Sequence, residues 1–342
     1  MATSKFSQVD EYGFVRPNDF DYGTYEVFMS KYLKVLAVRA KKWTKLIQEG
    51  KSISRSRILK RYIRKGIPNE YRGQIWSHVS GVEDIKLQFG HDLFQRLLEG
   101  PHNQEIVDSI NTDIPRTFPD NIFFSNVHEE RPLQLYRILL AYAHHNRKVG
   151  YCQGLNYIAG LLLLVTKNEE TVFWLLKVLV ERLLPDYYSR TMDGVITDID
   201  VLSELVRFRL PDLHMHIKSL GFPWAVIATK WLICLYVDVL PVETVLRIWD
   251  CFFYEGSKIL FRVAITLISK HNQTLLHCDD FGKMAECFKE IIKDYFTLHC
   301  HDFLQSIFKT PGSLKMITID NLRTKITEER RVKEKSKNKP IR

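Results

Sequence analysis

Apolar positions recur with a helical period along most of the chain. Leu135, Ile138, Leu139 and Tyr142 stand at i, i+3, i+4 and i+7, one apolar face of a helix for which Pro132 is a suitable first residue. Val172, Leu175, Leu176, Leu179, Val180 and Leu183 repeat the pattern behind Asn168, an expected N-cap, and Pro185 stops the run. Earlier, Phe28, Tyr32, Val35 and Leu36 line one side of an expected helix from Thr24 to Glu49. Gly66-Ile67-Pro68 breaks the chain and restarts it in a helix through Arg72, Ile75 and Trp76. Later helices are expected at Asp198–Arg209, Pro211 to a Gly221 cap, Trp224–Val237, Val242–Tyr254, Lys258–Lys270, Phe281–Phe296 and His301–Phe308. No period-2 alternation, hairpin signal or fixed-length repeat interrupts them. The fold class is all-α, with a dozen or more helices in an elongated domain.

One stretch tests this picture. Val149–Thr166 carries no charge over 18 residues, the lower limit for a membrane span. Gln153, Asn156 and three glycines interrupt it, so a helix buried in protein on all sides fits better. No transmembrane segment, signal peptide or lipidation motif is expected. The 342 residues are 45% hydrophobic, enough for a sizeable core. Six cysteines without a CxxC pair suggest free thiols, and with the missing leader a cytoplasmic place, peripheral to endomembranes at most.

Charge divides the chain unevenly. Of a net +9, the tail from Arg323 to Arg342 supplies +6, with nine Lys or Arg against three Glu. The body is therefore close to neutral, which argues against a nucleic-acid groove. The expected layout is a partly helical, basic extension over residues 1–64 that opens with an irregular arm over residues 1–22, a main domain over 65–320, and a disordered basic tail over 321–342. The tail's lysines also suit peripheral contact with an anionic membrane. The basic run Lys51–Lys65 reads as a solvated helix face or as a patch for an acidic partner.

Familiar reactive motifs are missing. The sequence has no P-loop, nucleophile elbow or HExxH. His277, Cys278, Cys287, His299, Cys300 and His301 match no common zinc spacing, and Cys152 has no base at a telling distance in sequence. Arg116, between Pro115 and Pro119, and Gln153, just before Gly154, remain as polar side chains on constrained segments. A carboxamide donates and accepts hydrogen bonds at once, so it can orient a water; a guanidinium can stabilise charge developing on phosphate oxygens.

These residues carry a resemblance. Gly66, Ile67, Pro68, Arg72 and Trp76 stand as G-I-P-x-x-x-R-x-x-x-W; Ile110, Asp113 and Arg116 as I-x-x-D-x-x-R; and Tyr151, Gln153 and Gly154, followed by Asn156, as Y-x-Q-G. In this order they resemble the TBC-domain family, GTPase-activating proteins for Rab small GTPases, with a motif core at 66–256. Trp231, Pro241, Arg247, Trp249, Asp250 and Glu255-Gly256 agree with it. The resemblance implies that Arg116 and Gln153 are catalytic groups supplied in trans to a GTP-bound Rab, with GTP and Mg²⁺ held by the Rab and no cofactor here. It implies supporting places for Asp113, Tyr151, Gly154 and Asn156 and architectural ones for the G-I-P motif, with Asp113 holding the Arg116 guanidinium by a charge-assisted bond when no Rab is present. The alternative is a catalytically inactive Rab-binding scaffold with the same fold.

Overall fold

In the computed structural model the described residues are 7–48, 53, 55–90 and 92–337. They form α-helices, and the β-bridges among them are two isolated pairs, Val9–Val15 and Phe14–Asn121. The all-α class is as expected. The chain divides into two compact units at Leu183/Leu184, inside the segment read from sequence as one domain.

The first unit holds α1 (Tyr22–Gln48), α2 (Arg57–Lys65), α3 (Asn69–Ser80), α4 (Val82–Phe89), α5 (Leu93–Leu98), α6 (Gln104–Asp113), α7 (Glu130–His145), α8 (Leu155–Thr166) and α9 (Glu169–Val178). Helix α8 packs against α3, α7 and α9. Its Leu155, Ile158, Ala159, Leu161, Leu162 and Leu163 are all buried, which is why the uncharged run needs no polar face. On α7 the stripe Leu135, Ile138, Leu139 and Tyr142 is buried as its spacing predicts. Pro132 is the third residue of α7 rather than the first; the first-turn N–H groups have no partner within the helix, so a proline fits there too. Asn168 caps α9, its side chain accepting from the Thr171 N–H at 2.8 Å. Beyond Val178 the run changes to a π-turn, Leu179–Leu183.

The architectural motif sits at a joint. Gly66 ends α2 at φ 111°, a conformation for which glycine is favoured, and its carbonyl accepts from Trp43 Nε1 at 2.9 Å. Pro68 precedes α3, and Ile67, Arg72 and Trp76 are buried. On α1 the buried residues are Tyr32, Arg39 and Trp43, while Phe28, Val35 and Leu36 are half-buried. Of the basic run before α2, residues 51, 52 and 54 lie outside the described residues.

The second unit contains α10 (Asp193–Arg209), α11 (Pro211–Ser219), α12 (Ala225–Ile233), α13 (Val242–Glu255), α14 (Lys258–Lys270), α15 (Asn272–Leu276), α16 (Phe281–Ile291), α17 (Tyr295–Leu298), α18 (Cys300–Lys309) and α19 (Met316–Lys337). Two helices are shorter than expected. Helix α12 ends at Ile233 because Leu235, Tyr236 and Asp238 take positive φ, a cost offset by bonds from Trp249 Nε1 to the Leu235 carbonyl and from the Tyr236 hydroxyl to the Leu260 carbonyl. The expected run to Phe296 breaks after Ile291, and Asp294 caps a new turn by accepting from the Phe296 N–H.

The tail is the main correction. Residues 321–337 are not disordered; they continue α19, which packs on α10. Ile319 and Ile326 are buried there, and Arg323 lies on the fully buried Asp198 with bonds of 2.7 and 2.6 Å. Arg330 pairs with Asp200 and donates to the Ile196 carbonyl at 2.9 Å. Apolar burial and charge pairing thus offset the ordering entropy that a count of charges suggested would prevail. Residues 338–342 lie outside the described residues. Among the described residues no helix is long and apolar enough to cross a membrane.

Candidate functional site

Arg116 and Gln153 lie on two loops of the first unit that are bonded to each other. Helix α6 ends at Asp113 and tightens into a 3₁₀ turn, Ile114–Arg116, in which Pro115 presets φ. The Thr117 hydroxyl donates back to the Asp113 carbonyl at 2.8 Å, closing this turn. The second loop runs from Gly150 to Gly154 into α8. Gly154 takes φ 105°, strained for any residue with a β-carbon, and its N–H donates to Asn156 Oδ1 at 3.0 Å.

Three bonds join the loops. The Tyr151 hydroxyl donates to Asp113 Oδ2 at 2.7 Å, Asn156 Nδ2 donates to Thr117 Oγ1 at 2.9 Å, and the Tyr157 hydroxyl donates to the Arg116 carbonyl at 3.3 Å. Thr117 and Asn156 are fully buried, so the bond between them lies out of reach of water and losing either side leaves a buried polar group short of a partner. The backbones on either side of Arg116 and Gln153 are therefore fixed, while both side chains are exposed. Among the described residues neither the guanidinium nor the carboxamide has a hydrogen bond or ion pair.

Asp113 does not hold Arg116. Its buried carboxylate is taken by Tyr151, which comes 38 residues later in sequence. Burial, reinforced by that bond and by the charge of Asp113, pushes the Tyr151 phenol well above its ordinary range, so it keeps the proton it donates. Burial and then the same carboxylate raise the Cys152 thiol, which keeps Cys152 protonated and a poor nucleophile.

The sequence pattern singles out neither Tyr157 nor Asn121 and leaves the N-terminal arm as an irregular segment. Asn121 is buried and donates to the Tyr12 carbonyl at 3.0 Å; Tyr12 in turn accepts from the buried Arg72 at 2.8 Å. A tyrosine in the first turn of an apolar helix looks like any core residue, and pairing between positions 12 and 121 leaves no local trace.

Comparison with known proteins identifies the family. The family description Rab-GTPase-TBC domain matches residues 69–276, a span that includes Arg72, Trp76 and both loops and begins just after Gly66-Ile67-Pro68. The chain is 50% identical to human growth hormone-regulated TBC protein 1 over 94% of this chain and 95% of that one. It is 49% identical to the Xenopus laevis protein of that name, covering 95% of each. The solved Chlamydomonas flagellar RabGAP TBC domain superposes with a TM-score of 0.75 at 32% identity, covering 89% of this chain and all of that one. With a match over more than half its length and relatives near half identity across almost the whole of it, the chain belongs to the Rab-GTPase-TBC domain family.

Proposed function

We propose that this protein is a GTPase-activating protein for a Rab small GTPase and that Arg116 and Gln153 enter the Rab's nucleotide site together. The observation that carries the proposal is the pair of exposed polar side chains, without a partner among the described residues, on two loops bonded to each other. Family membership and the likeness to the Chlamydomonas flagellar RabGAP TBC domain support it. Hydrolysis of GTP asks for an in-line water and for positive charge on the transferring phosphoryl oxygens. The Gln153 carboxamide accepts a hydrogen from the water and donates to a phosphate oxygen; the Arg116 guanidinium neutralises the developing charge. GTP and Mg²⁺ belong to the Rab. An arginine delivered in trans is worth roughly 10³–10⁵ in rate, about 4–7 kcal/mol of barrier.

A desolvated guanidinium gains most when it has no internal partner to leave, and Arg116 meets that condition. Asp113, Tyr151, Gly154 and Asn156 act by holding the two loops in register. Exposed Ile122 and Phe123, a few residues past Arg116, offer apolar surface to a protein partner.

The test is single-turnover GTP hydrolysis on a panel of purified Rabs with wild type, Arg116→Ala and Gln153→Ala. Acceleration of one or a few Rabs, lost by about 10²-fold or more in each variant, is the expected result. Acceleration that survives both substitutions would reject the residue assignment. A panel with binding but no acceleration would favour the scaffold reading.

A further inference from the structure

Residues 7–21 precede the segment matched to the family, yet they pack directly on the loop that carries Arg116. We propose that this arm positions the Arg116 loop, with Phe14 as its principal contact, and that it sets the rate at which bound GTP turns over. The kinetic part rests on the activator reading above.

The arm is a built element. Asp10 accepts from the N–H groups of Tyr12 and Phe14, both at 2.9 Å, and the Asp10 N–H donates to the Phe14 carbonyl at 2.9 Å. Gly13 turns the chain at φ 92°. The loop so formed lies along residues 120–122: the Val15 N–H donates to the Asp120 carbonyl and the Ile122 N–H to the Gly13 carbonyl, each at 2.9 Å. Asn121 completes the seam through the Tyr12 carbonyl. The Arg16 guanidinium stacks over the Phe20 and Tyr25 rings at 5.3 and 4.9 Å, tying the arm to α1.

Phe118 transmits this grip to Arg116, two residues before it. Phe118 takes φ 54°, a left-handed conformation that a non-glycine residue keeps only where its surroundings impose it. Its ring meets Phe14 edge-on at 5.1 Å, Phe124 at 5.6 Å and Tyr157 at 5.6 Å. It also fills the space at Gly160, where a β-carbon would come within 2.9 Å of it. Phe14 is the wall supplied from outside the matched segment. Without it, the strained backbone next to Arg116 loses one of the contacts that hold it.

Two measurements decide the matter. The first is amide hydrogen exchange across residues 114–124 in wild type, Gly13→Ala and Phe14→Ala. Gly13→Ala attacks the arm from its own side, since a β-carbon there would lie 2.5 Å from the Phe123 ring. Faster exchange confined to this stretch is expected in both variants, and unchanged exchange overturns the proposal whether or not any GTPase responds. The second is hydrolysis by the Rab that wild type accelerates, titrated with activator. Phe14→Ala should lower the saturating rate by about tenfold, change the half-saturating concentration by less than about twofold, and be largely rescued by Phe14→Leu. In an Arg116→Ala background the same change should have no further effect. An undiminished saturating rate, or an equal loss with Arg116 already removed, overturns the positioning role. Failure of wild type to accelerate any Rab would instead sink the activator reading and this kinetic part with it, leaving exchange to decide the bracing alone.

Discussion

Arg116, in the first unit, ends in an exposed guanidinium with no bond or ion pair among the described residues. Arg323, in the second, is mostly buried, with two bonds to Asp198, a third to Ser257 at 2.9 Å and a fourth to Asp320 at 3.3 Å. The contrast lies in what surrounds each. Around Arg323 the protein has removed water and supplied a carboxylate, so the guanidinium is committed to structure. Around Arg116 it has fixed the backbone and left the side chain in water, and the nearby carboxylate of Asp113 is occupied by Tyr151. On the function proposed above, the mark of an arginine kept for a partner is a rigid backbone beneath an unengaged head group.

If that contrast is sound, the two sites should fail in opposite ways. Arg116→Ala should cost roughly 10³–10⁵ in the activated hydrolysis rate while shifting unfolding free energy by no more than about 0.5 kcal/mol. Asp198→Ala should do the reverse: by removing two of Arg323's bonds and leaving it Ser257 and the exposed Asp320, it should lower stability by about 3 kcal/mol, the low end for a broken buried pair, in urea denaturation, with the rate per folded molecule kept. Should Asp198→Ala impair the rate of folded protein, or Arg116→Ala the melting curve, the division of roles is wrong.

Gly160→Ala probes the boundary between the two kinds of role. Its β-carbon would meet the Phe118 ring at 2.9 Å, so overpacking of about 1–3 kcal/mol is expected if Phe118 stays. If Phe118 moves instead, stability is spared and hydrolysis suffers, and comparing a thermal melt with the rate distinguishes the two. The smallest effect concerns pH. Burial, the largest cause in each case, lowers the pKa of His145, His214 and His271 from the ordinary 6.5. The unfolded chain then binds protons first as pH falls, so the stability these groups allow is complete above about pH 6.5 and declines below it. Urea denaturation should show a lower midpoint at about pH 5.5 than at about pH 7.5, with a shallower dependence in His145→Gln. A midpoint that rises on acidification would contradict the assignment.

Much of the helical layout was legible because periodicity, Pro115 and Gly154 are local signals. The two loops that carry Arg116 and Gln153 were legible for the same reason. The partner of Asp113 was not: nearness in sequence favoured Arg116, and only the packed fold brings Tyr151 to the carboxylate. The tail was misread because charge was counted without its spacing. Ile319, Arg323, Ile326 and Arg330 stand at i, i+4, i+7 and i+11, a helical stripe whose isoleucines are buried and whose arginines meet Asp198 and Asp200. The ends of α12 and α16 were set by tertiary bonds from Trp249 to the Leu235 carbonyl and from Tyr236 to the Leu260 carbonyl and by the Asp294 cap, which override a continuing apolar pattern.

Helix α19 has a bearing on modularity. It lies wholly beyond residue 276, where the shared family segment ends, yet it neutralises a carboxylate inside that segment. A fragment cut at 69–276 would keep Asp198 and discard Arg323, leaving Tyr187 as its remaining partner among the described residues. The segment matched to the family description is thus smaller than the unit of solvation. A chain trimmed to residues 69–276 would carry a carboxylate whose counterion was left behind.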